Sequence, residues 1–103
     1  MRKILLVVLG CFGLFMSCSK DNTTSYIPNC NGTTKSYSTD VSPVLQSVCV
    51  SCHEGFSSYS NLFASRTSIR NMVASGQMPQ GGSLSDEDKD KILCWIDNGA
   101  PNN

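Results

Sequence analysis

Histidine is almost absent from this chain: one imidazole, His53, stands in 103 residues. Wherever that imidazole is used, no second histidine is left to partner it. The 8 lysines and arginines are matched by 8 acidic residues, and no stretch gathers the basic ones. The electrostatic footprint of a nucleic-acid binder is therefore missing. No apolar run reaches the ~20 residues that a membrane-crossing helix needs. No segment alternates apolar and polar residues for long enough to argue for a sheet. What remains is a chain of at most one domain, with apolar residues at helical spacing. The expected fold is all-α.

The N-terminus reads as a targeting segment. Arg2 and Lys3 precede an almost wholly apolar run at residues 4–16. Its length suits the apolar region of a secretory signal peptide. The run closes on Leu14-Phe15-Met16-Ser17-Cys18, which resembles the lipobox of bacterial lipoproteins. The resemblance implies that residues 1–17 are removed and that Cys18 carries the lipid. Two or more acyl chains hold a protein stably on a membrane, whereas one does so only marginally. The expected location is the cell envelope, facing the periplasm or on the outer membrane. The alternative is ordinary signal cleavage that leaves Cys18 free. From Cys18 onward 86 residues remain, and loss of Arg2 and Lys3 leaves them slightly acidic.

Six cysteines are many for so short a chain. Cys11 departs with the signal, and Cys18 is the lipid candidate. Cys49 and Cys52 belong to one motif. Cys30 and Cys94 remain and can pair, as an oxidising compartment permits. Cys94 falls nearly opposite Ile92 and Ile96 around a helix, so such a bond is expected on its outer face.

Residues 18–40 are expected to form the lipidated cysteine and a polar N-terminal segment. Its first part, to about Asn29, shows no hydrophobic period and reads as a tether. Residues 33–42, rich in Ser and Thr, read as an ordered loop at best. Residues 41–103 carry the helical signals. Ser42 and Pro43 suit a helix start. Leu62 and Phe63 fit a short helical turn. Ile69, Met72 and Val73 mark a further helix, which Gly76 ends. The last helix is the clearest: Ser85 with Asp88 forms a cap, and Asp86 and Glu87 suit the positive end of the dipole. Gly99 stops it and Pro101 follows.

Chemistry concentrates at Cys49-Val50-Ser51-Cys52-His53. C-x-x-C-H is the attachment signature of c-type haem. Two thiols on one helical turn can reach the two vinyl groups of one porphyrin, and the adjacent imidazole becomes the proximal iron ligand. A thioredoxin-like redox pair, a zinc site and a plain disulfide scaffold are the other readings of these residues. With no histidine left, the distal ligand is expected to be Met78, which sits in a Gly- and Pro-containing loop. Met72 lies on an apolar helical face, where methionine usually fills a core.

These residues resemble the small mono-haem class I-type cytochromes c of bacteria. The resemblance rests on Cys49, Cys52 and His53, on Met78-Pro79-Gln80-Gly81-Gly82, and on Leu84-Ser85-Asp86-Glu87 leading to Trp95-Ile96-Asp97-Asn98-Gly99-Ala100-Pro101. It covers residues 41–101. It implies one haem c in a helical fold, His/Met ligation and one-electron transfer without catalysis. It also implies redox proteins of the envelope as partners. The chain departs from the family in its short interval between His53 and Met78, and in the Cys30 and Cys94 pair.

The expected haem wall is Leu45, Val48, Phe56, Leu62, Phe63, Ile69, Met72, Val73, Leu84, Ile92, Leu93 and Ile96. Trp95 admits a place at a haem edge or in ordinary core. The competing functions are a haem-based sensor or gas-binding module with an open sixth site, and a non-haem, disulfide-stabilised structural lipoprotein.

Overall fold

The computed structural model describes residues 24–103; the signal segment and Cys18 lie outside them. The described residues form helices and turns, with no strand among them. A π-helical turn, Tyr37–Val41, runs straight into α1, Ser42–Val48. A 3-10 turn, Glu54–Ser57, leads to α2, Tyr59–Ala64, and α3, Arg66–Ala74. A loop then reaches α4, Asp86–Asp97.

The boundaries follow from local chemistry, with one correction. Ser42 does not cap α1. Its N–H donates to the Tyr37 carbonyl, so α1 continues out of the π-helical turn instead of starting afresh. The stretch read as loop thus holds a helical turn. Its donors are met by the Asp40 carboxylate, which accepts from Ser36 N–H at 2.8 Å, and by Asn103, which accepts from Tyr37 and Ser38 N–H. In α4 the Ser85 hydroxyl accepts from Asp88 N–H at 3.1 Å, as expected of the cap. At the other end Gly99 N–H donates to Ile96 and Ala100 N–H to Trp95. That pair of bonds is a Schellman closure. It places Gly99 at φ 94°, in the left-handed region that glycine enters freely.

The core lies where α4 meets α3 and the π-helical turn. Val41, Leu45, Leu62, Ile92, Leu93 and Trp95 are each at most 1 % exposed. Burial of one such side chain contributes about 1.5–3 kcal/mol. Trp95 is the centre. Its ring lies 5.6 Å from Tyr37 and 6.4 Å from Tyr59, and its Nε1–H donates to the Pro101 carbonyl at 2.9 Å. Trp95 is therefore core and does not line the cavity described below.

The segment before residue 37 is held more closely than its polar composition implies. Tyr26 N–H donates to the Ala74 carbonyl at 2.7 Å. The Tyr26 hydroxyl and Asn29 N–H both donate to the Asp90 carboxylate, at 2.8 and 3.0 Å. The hydrogen bond to Asp90 pushes the Tyr26 phenol up to about 12. The tether reading therefore fails from Tyr26 onward. Cys30 and Cys94 form a disulfide, with Cα atoms 5.4 Å apart, on the α4 face away from the cavity.

A bond that closes 64 residues constrains the unfolded chain by about 4 kcal/mol at most. The Cys30→Ala/Cys94→Ala variant is expected to lose ~2–4 kcal/mol in urea unfolding. An unchanged midpoint would show that the bond is idle.

Arg70 also ties α3 to α4 through a two-pronged ion pair with Asp97, its Nη2 lying 2.9 Å from Oδ2. Hydrogen bonding to Arg70 holds the Asp97 carboxyl below its ordinary range. A lowered carboxyl stabilises the fold above its unfolded value of about 3.9, and that contribution fades as pH falls through the folded value. The pair is more than a third exposed, so the effect is modest. Asp97→Asn is expected to be less stable than the parent at neutral pH, with the gap closing below about pH 4. Equal stability at neutral pH would count against the pair.

Candidate cofactor site

The site begins where α1 runs out. Cys49 N–H still donates to Leu45 at 2.9 Å. The Cys49 carbonyl then accepts from Cys52 N–H at 3.2 Å and from His53 N–H at 2.8 Å. The backbone therefore makes one further helical turn. Residues three apart on such a turn share a face, so Cys49 and Cys52 are presented together. Both are free thiols. They are unequal: Cys49 is half-buried, and burial pushes its thiol up, while Cys52 is exposed. The His53 ring stacks on Phe56 with centroids 5.0 Å apart. Phe56 is held there by the 3-10 turn, where its N–H donates to the His53 carbonyl at 2.9 Å.

Beside this turn opens a cavity of about 500 Å³, within the ~300–1,000 Å³ of small-molecule and cofactor sites. Cys49, Cys52 and His53 line one part of it. Met78 and Pro79 line another part, and their peptide bond is cis. All four residues expected to hold the cofactor thus meet at one cavity. Leu45, Val48, Phe56, Ile69, Met72 and Val73 supply its apolar lining. Ser65, Ser68 and Gln80 are its uncharged polar groups.

Comparisons with family models, curated proteins and solved structures give no match. The chemistry of the site must therefore be read from its own donors. Among the described residues no group of three or more His, Cys, Asp or Glu side chains is arranged to hold a bare metal ion. The donors here are two thiols, one imidazole and two thioethers around an apolar hollow. That set fits a flat apolar cofactor with an iron centre.

Half of the expected wall is elsewhere. Leu62, Leu84, Ile92 and Leu93 are buried in the helix core. Phe63 and Ile96 pack partly against that core. The sequence could not separate the two groups, because both are apolar at helical spacing. Met72 lines the cavity, as expected of the wall, and at 39 % exposed it does not fill the core. Ser65 and Ser68 were not legible, since isolated polar residues carry no pattern.

The thiols offer a direct test of this geometry. In protein carrying no cofactor and with the Cys30–Cys94 bond intact, Cys52 is expected to alkylate faster than Cys49, because a buried thiol with a raised pKa holds less thiolate. Peptide mass mapping against time reads both rates. Equal rates would mean that the turn is not formed before a cofactor arrives.

Proposed function

We propose that this chain is an electron-carrying c-type cytochrome of the cell envelope. The observation that carries the reading is the meeting of Cys49, Cys52, His53 and Met78 at one apolar cavity. In this reading the Cys49 and Cys52 sulfurs are the covalent anchors. His53 is the proximal iron ligand and Met78 the distal one. One-electron exchange is the chemistry that a bound haem c supplies there.

The chain's own residues have separable tasks. The turn from Cys49 to His53 fixes three donors on one stretch of backbone. Phe56 stacks on the imidazole and limits its rotation. Leu45, Val48, Ile69 and Val73 exclude water from the cofactor's apolar body, and burial is one of the levers by which a protein tunes a haem. Methionine opposite histidine raises the potential relative to two nitrogen ligands. Were His53 and Met78 both to ligate the iron, no place would be left for a substrate, and the chemistry supplied would be carriage rather than catalysis.

Export and anchoring belong to the same proposal. The basic start, the apolar run and Cys18 support a lipoprotein held on the membrane. The Cys30–Cys94 disulfide supports an oxidising compartment. The partners are then redox proteins of the envelope. Among the described residues no helix is long and apolar enough to cross a membrane.

Haem staining after denaturing electrophoresis tests the core of this reading, because only a thioether-linked cofactor survives it. The full chain, matured in a host competent for cytochrome assembly, is expected to stain. Cys49→Ser/Cys52→Ser is expected not to. A colourless parent with both sulfurs unmodified by mass would sink the proposal.

A further inference from the structure

Met72 is the residue at the cavity that neither the core nor the proposed ligand set employs. Its helical neighbours Ile69 and Val73 are 9 % and 4 % exposed, whereas Met72 is 39 % exposed. Only Ile27 is another large hydrophobic side chain so open among the described residues. Leaving part of a long apolar side chain in water on a packed helix forgoes burial that its neighbours obtain. Met72 nonetheless stays at the mouth of an apolar hollow that it also lines.

The backbone links it to Met78. Met78 N–H donates to the Met72 carbonyl at 3.2 Å, skipping the turn between them. The Ser75 hydroxyl donates to the same carbonyl at 3.2 Å. The loop bearing Met78 is thereby folded back on the helical turn bearing Met72, and both side chains line one cavity. Methionine is unbranched, has three rotatable bonds and carries a soft sulfur. The exposure of Met72 leaves it room to turn inward.

We propose that Met72 is a second iron-ligating thioether of this site, a stand-by donor that occupies the distal position when Met78 leaves it. The inference rests on the haem reading above. The two sulfurs have the same donor chemistry, so exchange between them preserves the ligand type. Met78 is carried by a loop without regular structure, while Met72 is carried by α3, which the core holds. Opening of the loop therefore leaves the distal position closed to small ligands.

The test uses full-length protein matured with haem, and leucine as a replacement that keeps bulk but cannot ligate. Haem staining first establishes that the cofactor is attached. The ferric visible spectrum then reports methionine–iron bonding as a weak band near its red end, and ferrous protein is exposed to CO. Met78→Leu is expected to keep most of that band and to resist CO. Met72→Leu/Met78→Leu is expected to lose the band and bind CO readily. A measurement that leaves Met78 intact is imidazole titration of Met72→Leu, which is expected to bind imidazole more tightly than the parent because one competitor is gone. Stained Met78→Leu that has lost the band as fully as the double variant overturns the proposal. So does an imidazole affinity unchanged by Met72→Leu, or loss of the band in Met72→Leu alone. A parent that does not stain overturns the haem reading itself, and this proposal with it.

Discussion

Among the described residues no helix before α4 exceeds nine residues, and helices that short do not persist alone in water. Their common support is the Trp95 ring. It is buried against Tyr37 from the π-helical turn and near Tyr59 from α2, and its N–H is satisfied by the Pro101 carbonyl. The Tyr59 hydroxyl donates at 2.7 Å to the carbonyl of Ala100, which is itself fully buried with φ 51°. Loss of the indole would thus release the first helical turn, the middle of the chain and its end together. The π-helical turn, α2 and the C-terminal end are local pieces joined at one aromatic contact.

That arrangement leaves α1 and α3 to serve two surfaces. Leu45, Ile69 and Val73 are counted in the core and also line the cavity. The residues that position the thiols are therefore continuous with those that stabilise the fold. A change in the wall of the cavity is felt by the core, because packed interiors transmit strain. The Cys49–His53 turn is anchored through α1. The Met78 loop is anchored through α3, by the Met72 carbonyl. The α3–α4 contact, pinned at the surface by Arg70 and Asp97, thereby fixes one side of the site relative to the rest.

The sequence is informative where a residue type has few physical uses. Gly76 and Gly99 at helix ends, the Ser85 cap and the Cys49–His53 spacing each serve a local geometry, and each is found in that geometry. Helical content follows from periodicity for the same reason. Apolar residues have many uses, so Leu62 and Leu45 look alike in a sequence although one is core alone and the other also faces the cavity. Tyrosine misled most. Tyr26 and Tyr37 sit in polar surroundings that carry no hydrophobic period, yet each combines a ring that packs with hydrogen bonds nearby. Their docking depends on Asp90 and Asn103, more than sixty residues away, and no local pattern reports a contact at that range.

Two kinds of sulfur chemistry must coexist in this small body. The four cysteines among the described residues allow three pairings, and free thiolate beside a disulfide invites exchange. The fold separates them. Cys30 and Cys94 are joined on the face of α4 turned from the cavity, while Cys49 and Cys52 open into it. Burial of Cys49 adds chemical restraint, because a raised thiol pKa lowers the fraction able to attack. Space and protonation therefore favour the same outcome. The structural bond persists without consuming the pair at the cavity.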